Sequence, residues 1–551
     1  MPGGAPLNLR SFLWRGENVF PDSEIVSRTH QGIHRYTIAE YAERVRKLAS
    51  ALEQAGIERG DRVGTFAWNN HWHQEAYYGV ACMGAQVHMI NLLLPDEHIQ
   101  HIVADAEDEI LIVDPVMLEK LEGAYDEEAF DSVEQYIVMG DTVPETSLEP
   151  VVDYESFIAD GDPDYSFPQL PEDQPAGMCY TSGTTGKPKG VEYTQKMYWT
   201  QVMALMTSQA GIKTDDVELT YVPMFHVSGW CRPFTTIAAG AKTVLPGPNP
   251  SAEDLAKLIE EEDVTVSAAV PTVFMDLLEY ARDTDADFSS VRYFTSGGSA
   301  TPRSLMEDYK QEFDVDLISG YGMTETSPVT HAYEPKPGMT DLPEEELFDL
   351  RSHSAGLPIA GLEFKVVNTD GEEVPWDGES LGELWMRGPW VTQEYYNAPD
   401  ATEQAVTDDG WFKTGDIVRV SPEGYVDVVD RMDDLVKSGG EWIASVEVEN
   451  AVMGHDEVVE AAVVPVPHER WDERPAAFVV TRDAVSDEAA LRQEIKDLVA
   501  ESYPSWWVPD AIRLVDGIPK GATGKFSKQT LRDEYVDESV IETVAENAPA
   551  T

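Results

Sequence analysis

Apolar residues along the first 430 positions recur in two alternating rhythms. In one, Tyr41, Val45, Leu48 and Leu52 follow at helical spacing behind a T-x-x-E pair, Thr37 and Glu40. That pattern predicts a helix with a capping box at its start and Gly56 as its stop. In the other, runs such as RVGTFAW (62–68) predict strands. The order repeats, with 254–262 as helix, VTVSAAV (264–270) as a buried strand, 273–281 as helix and VRYFT (291–295) as strand. Such alternation predicts an α/β fold of helix-covered sheets, with ligands at the strand ends.

The rhythm changes near DVVDR (427–431). Beyond it the spacing predicts a helix over 445–453, strands over 458–466 and 476–481, and a long helix from Asp487. These last ~120 residues have the size of a small α+β domain. The expected division is therefore a large N-terminal domain, 1–431, and a small C-terminal domain, 432–551. The acidic tail after Arg532 is expected to be peripheral.

Charge alters this picture. The 551 residues carry 101 Asp and Glu against 39 Lys and Arg, a net charge of −62. Apolar content of 42% and 13 Trp exclude a disordered polymer. A charge of this sign argues against nucleic acid or an anionic membrane surface as partner. The acids are scattered, a pattern that suits a cytoplasm of high salt; a halophile's cytoplasmic protein is the expectation. Cys82, Cys179 and Cys231 lack metal-ligand spacing and read as reduced core thiols. The first ten residues have no apolar signal core. The longest apolar run, 77–94, is broken by Gln86, His88 and Asn91, so no stable membrane insertion is expected.

Against that acidity, CYTSGTTGKPKG (179–190) contains three glycines, four Ser and Thr side chains, two lysines and no acid. A strand end precedes it. Thr194 reads as the cap of a following helix whose buried stripe would be Trp199, Val202, Met203 and Met206. Glycines free backbone N–H groups to face a guest, and with hydroxyls and a lysine they make a nest for a phosphate chain. The G-x-x-x-x-G-K-[ST] loop is rejected by spacing: two residues separate Gly183 from Gly186, and Pro188 follows Lys187. A flexible surface loop is the competing reading. Lys187, Lys189 and Lys196 form one basic island, and 518–532, with three lysines, an arginine and no acid, forms another. A polyanionic ligand at both would explain them.

YTSGTTGKPKG (180–190), YGMTET (321–326), TGD (414–416), DR (430–431), KSGGEWI (437–443) and PKGATGK (519–525) occur in that order. Together they resemble the AMP-forming acyl-CoA synthetases of the adenylate-forming enzymes. PMFHVSGW (223–230) and the stretch 438–455 resemble the medium- and long-chain fatty acyl branch. The resemblance implies that ATP and a carboxylic acid form acyl-AMP and pyrophosphate, with Mg²⁺, and that coenzyme A then takes the acyl group. Thr181, Ser182, Gly183, Thr184, Thr185, Gly186 and Lys187 would hold the β- and γ-phosphates. Thr324 would touch the α-phosphate, and Glu325, with Thr181 nearby, would coordinate Mg²⁺. Gly297, Gly298 and Ser299 would wall the adenine and substrate. Tyr321, followed by Gly322, would stack on adenine, while Asp416 and Arg431 would bind ribose.

By the same resemblance, Lys525 would bridge the acyl carboxylate and the α-phosphate. The small domain would then rotate about Asp433, bringing Lys437, Gly439, Gly440 and Trp442 to the site. His226 resembles a gate to the acyl tunnel, lined by Val227, Trp230 and Cys231. Gln195, where many relatives have His, and Ser299, where fatty acyl relatives often have Ala, depart from the pattern and leave substrate choice open. A homodimer is a family expectation. The first reading is a ligase for a medium-chain or branched fatty acid. An acyl-AMP ligase loading a carrier protein, an aryl-CoA ligase, or a nucleotide-binding module without catalysis are the alternatives.

Overall fold

A computed structural model of the chain describes residues 4–181, 187–208, 211–339, 342–439, 441–482, 485–520 and 526–548. The described residues form two large helix-covered sheets, a four-stranded antiparallel sheet and a five-stranded sheet near the C-terminus. This is the expected α/β class, with a large N-terminal part and a smaller C-terminal one.

The seven-stranded sheet runs in the order Val151–Asp153, Gln135–Val138, Ile110–Val113, Arg62–Phe66, Gln86–Met89, Pro175–Tyr180, Gly190–Thr194. Its central strands are short apolar runs buried on both faces, as parallel strands under helices require. Only the last strand turns back, antiparallel to Pro175–Tyr180. The glycine–hydroxyl segment joins these two strands. In the nine-stranded sheet, Val266–Ala269, Tyr293–Gly297 and Asp316–Gly322 are parallel neighbours, with Gly297 opposite Gly320. Their C-terminal ends therefore share one edge.

Local signals explain the helices. Thr37 and Glu40 cap Ile38–Gln54 reciprocally, and Tyr41, Val45, Leu48 and Leu52 are all buried. Ser251 caps Ala252–Glu262, and Pro271 opens Pro271–Asp283 at the first turn. Thr194 caps Gln195–Thr207 as expected, but the buried stripe is different. Tyr198, Gln201, Val202 and Leu205 face inward, while Met203 is 38% exposed. The partner surface decides this: the Tyr198 hydroxyl pairs with Ser228 Oγ at 2.7 Å, and its ring lies 4.8 Å from that of Phe234. A buried Gln201 on that face disguised the period. Gln195 is itself buried, bonding the Leu9 N–H and the Ala81 carbonyl, so it staples two neighbouring helices to this one.

In the C-terminal part, Val458–His468 and Asp472–Thr481 form a long hairpin against Ser445–Met453 and Glu488–Ser502. The tail is not peripheral. Asp537 caps a helix, Glu538–Asn547, whose Val540 and Val544 are buried with Val464, Phe478 and Leu531. Glu538 and Glu542 are exposed on the outer face, and a net-charge reading of the segment hides the apolar stripe. Among the described residues, no helix is long and apolar enough to cross a membrane.

Candidate active site

The described flanks of the glycine–hydroxyl segment close on each other. The Thr181 N–H donates to the Lys189 carbonyl at 2.9 Å, and the Lys189 N–H donates to Thr181 Oγ1 at 3.1 Å. Lys187 is exposed; Ser182, Gly183, Thr184, Thr185 and Gly186 lie outside the described residues. The Lys189 ammonium lies 4.9 Å from the centre of the Tyr395 ring, a cation–π distance. The Tyr395 hydroxyl donates to Glu325 Oε1 at 2.7 Å, and the Thr392 N–H to the Glu325 carbonyl at 2.8 Å. Burial and the Glu325 charge hold the Tyr395 phenol above its ordinary pKa, so it remains a donor. From the other flank, Tyr193 donates to the Thr324 carbonyl at 2.8 Å. Two tyrosines thus stitch the loop of one sheet to Thr324 and Glu325 beyond the end of the other. Sequence reasoning missed both. Tyr193 directly precedes the helix cap Thr194 and stands two residues before Gln195, whereas EYYNAP around Tyr395 has no chemical signature of its own.

Glu325 is 8% exposed, and no cluster of three or more His, Cys, Asp or Glu able to hold a metal occurs among the described residues. Mg²⁺ accepts one or two carboxylates and takes its remaining ligands from phosphates and water. One buried carboxylate, Glu325, therefore fits Mg²⁺ carried by a nucleotide and does not fit an ion caged by protein alone.

On the neighbouring strand end, the Tyr321 hydroxyl donates to Asp416 Oδ2, and Arg431 Nε stands 2.7 Å from Asp416 Oδ1. Asp416 and Arg431 are cross-strand partners in the four-stranded sheet. The Asp416 charge raises the Arg431 pKa, so the guanidinium is fixed as a cation there. The glycines beside them are steric necessities. A Cβ on Gly297 would meet the Gly320 carbonyl oxygen at 2.7 Å and the Trp230 ring at 2.9 Å; one on Gly322 would meet the Pro328 carbonyl oxygen at 2.0 Å. Gly298 has φ +87°, and Ser299 stands exposed at the rim.

Against this wall lies an uncommon backbone. Val227, Ser228, Gly229, Trp230 and Cys231 have φ of 47°, 52°, 55°, 52° and 56°, a left-handed turn following half-buried His226. Each non-glycine residue there costs about 1–2 kcal/mol, and such strain persists only when surroundings enforce it. Here they do: Ser228 pairs with Tyr198, the Cys231 thiol donates to the Ser327 carbonyl at 3.1 Å, and the Gly229 N–H donates to the His226 carbonyl. The turn places Trp230 on Gly297, with Val227 and Cys231 buried beside it. Immediately behind, Arg232 pairs with Glu218 at 3.0 Å and reaches Thr295 Oγ1 at 3.4 Å.

The C-terminal residues divide. Lys525 and Gly440 lie outside the described residues; Lys520 and Phe526, which flank the segment holding Lys525, are bridged to each other. Lys437 is exposed and Trp442 opposes it in a hairpin. The Lys437 N–H donates to Glu473, and the Gly439 N–H to the Trp471 carbonyl, so both bond within their own sheet. The second basic island requires correction. Lys520 pairs with Glu460, Lys528 with Glu449 and Arg532 with Asp434, at 2.7, 2.8 and 2.6 Å. A stretch without acids in sequence is paired with acids in space, so these three cations do not call for a polyanionic ligand.

The AMP-binding enzyme family model matches residues 13–396, and the AMP-binding enzyme C-terminal domain model matches 447–525. The chain belongs to the AMP-binding enzyme family. It is 41% identical over 96% of both chains to a long-chain-fatty-acid–CoA ligase of Thermus thermophilus. It is 36% identical over 93% of both chains to a medium-chain-fatty-acid–CoA ligase of Ectopseudomonas oleovorans. Among solved structures it resembles the anthranilate CoA ligase AuaEII in complex with anthranoyl-AMP, with TM-score 0.85, 26% identity, and coverage of 96% of this chain and 98% of that one. The enzyme is an AMP-forming acyl-CoA synthetase, which uses ATP and Mg²⁺ to activate a carboxylic acid as acyl-AMP and passes the acyl group to coenzyme A.

Proposed function

We propose that the site assembled around Thr181, Glu325, Asp416 and Gly297 adenylates a medium-chain or branched fatty acid, and that a second arrangement of the C-terminal domain, 432–551, completes the thioester. A carboxylate is a poor electrophile, and joining it to ATP brings two anions together, so the reaction needs fixed positive charge. In this reading the segment 181–187 and Lys187 hold the β- and γ-phosphates. Thr324 faces the α-phosphate, and Thr181 and Glu325 hold Mg²⁺, which lowers the repulsion between the anions when bound. Tyr395 orients Glu325. Asp416, directed by Tyr321 and Arg431, accepts the ribose hydroxyls. Tyr321 and the Gly297–Gly298–Ser299 wall flank adenine. His226, Val227, Trp230 and Cys231 receive the acyl chain. Lys525 neutralises charge between carboxylate and α-phosphate, then withdraws as Lys437, Gly439, Gly440 and Trp442 approach for thiol attack.

The observation that carries this reading is the pair of tyrosine bridges, Tyr193 to Thr324 and Tyr395 to Glu325, which bring the phosphate-loop flanks and the candidate metal carboxylate to one place. Acid-dependent exchange of labelled pyrophosphate into ATP, over straight and branched acids at high salt, tests the first half. Thioester formation with free coenzyme A tests the second and separates it from carrier-protein loading. Exchange with aromatic acids only would overturn the fatty acid reading.

A further inference from the structure

A buried charge cluster spans the junction between the two parts of the chain. Asp430, on the last strand before the junction, is 3% exposed. Its Oδ2 accepts from both the N–H and the hydroxyl of Ser445 at 2.6 Å. Ser445 begins the helix Ser445–Met453 beyond the junction. Lys528 donates to the Ser445 hydroxyl and stands 2.8 Å from Glu449 Oε1, which also accepts from the Val463 N–H at 2.7 Å. Burial alone would lower the Lys528 pKa, but the charges of Glu449, Asp430 and Asp434 hold it above the ordinary lysine value. One ammonium therefore serves two buried carboxylates on opposite sides of the junction. A buried ion pair stabilises only the arrangement in which its geometry is complete, and removing one member leaves uncompensated charge.

We infer that Lys528 is a positioning residue for adenylation, locking Ser445 and Glu449 of the C-terminal domain against Asp430 and thereby selecting the domain arrangement seen here over the rotated one. This rests on the two-arrangement reading above, with the arrangement seen here taken as its adenylating member. Rotation about Asp433 would carry Ser445, Glu449 and Lys528 away together and leave Asp430 behind. The Lys528–Glu449 pair then survives, but Asp430 must find solvent or new donors. Lys528 thus contributes to one arrangement through two carboxylates and to the other through one. A residue that merely supported the C-terminal fold would weaken both half-reactions alike.

The test uses the full chain. Lys528→Met should lower pyrophosphate exchange at least about tenfold, with a smaller loss in thiolation of preformed acyl-AMP. Lys528→Arg should recover most of the exchange. Asp430→Asn placed in the Lys528→Met background should recover part of it, because the stranded charge is removed. Dyes on Glu145→Cys and Asp516→Cys, both exposed, should report a shifted interdomain distance in Lys528→Met. If Lys528→Met does not fold, Lys528→Arg and Asp430→Asn carry the comparison through the same ratio and distance. An unchanged ratio of half-reactions together with an unchanged distance overturns the inference. Absence of exchange in the unaltered enzyme with every acid would instead overturn the functional reading, and the dye distances would still decide the role of Lys528.

Discussion

The Tyr395 hydroxyl meets Glu325 at 2.7 Å while the same ring lies 4.9 Å below the Lys189 ammonium. One side chain thus orients the carboxylate assigned to Mg²⁺ and rests on the end of the segment assigned to the phosphates. Removing the hydroxyl alone separates these tasks. Tyr395→Phe keeps the ring for Lys189 and leaves Glu325 short of one donor. Hydrogen bonds to charged groups contribute about 1.5–3 kcal/mol, so adenylation should fall about ten- to hundredfold. The Mg²⁺ concentration for half-maximal exchange should rise as well. An unchanged Mg²⁺ requirement would mean that Tyr395 only braces the fold.

The acyl side carries a second prediction. Thr295 lies two residues below Gly297 on the same face of its strand, about 7 Å along it, and Arg232 meets it there. Glu218 Oε1, buried, has no hydrogen-bond partner among the described residues. An alkyl chain advancing past Trp230 in this direction meets a buried ion pair and gains nothing from it. Each methylene placed in an apolar site contributes about 0.8 kcal/mol. Replacing both members, Arg232→Leu with Glu218→Val, should therefore move the optimum of kcat/KM toward longer acids by several carbons. Either single substitution should instead cost stability, because it strands a charge. A chain-length profile identical to the unaltered enzyme would place the acyl channel elsewhere.

Glu218 also fixes a pH dependence. Burial pushes its carboxyl up to about 7, in spite of Arg232, from an ordinary value near 4.5. Between these values the folded chain holds a proton that the unfolded chain has released. Native stability from this group therefore declines as pH rises through that window and is level above it. Glu449, also pushed up to about 7 by burial, contributes a slope of the same sign. Glu218→Gln imitates the protonated form and removes its share. Denaturant melts at pH about 5, 6, 7 and 8 should show a shallower decline for the variant; parallel curves would refute the assignment.

Much of this was legible beforehand, and the reasons differ by residue. Thr37–Glu40 and Thr194 carry their helix starts in local chemistry, so the elements they open were readable. Thr324 and Glu325 follow a strand end at one sheet edge, which βα alternation already implied, whereas Asp416 and Arg431 stand on an antiparallel hairpin, which it did not. Tyr395 was not readable: its role depends on a partner 70 positions away in sequence. Nor was the left-handed turn at 227–231, since four of its five residues disfavour that conformation and only tertiary contacts enforce it. The pairing of Lys528 with Glu449 was hidden for a similar reason. Charge read along the chain reports neighbours in sequence, and this cation finds its partner on another element.

Salt dependence follows from the net charge of −62. The described ion pairs involve both buried and exposed partners, but acids outnumber bases by more than two to one in the sequence, so most carboxylates have no Lys or Arg of their own. Their repulsion acts over the Debye length, about 10 Å at 0.1 M and about 3 Å at 1 M. Raising KCl from about 0.1 to 2 M should accordingly raise Tm by about 10 °C or more. Cations should do this in proportion to ionic strength, whereas sucrose, which strengthens burial without screening charge, should give a smaller rise. Glu→Lys substitutions at exposed, unpaired positions should reproduce part of the effect at low salt. Equal stabilisation by sucrose and KCl would assign the effect to solvent exclusion and not to charge, and a Tm independent of salt would remove the expectation of a high-salt cytoplasm.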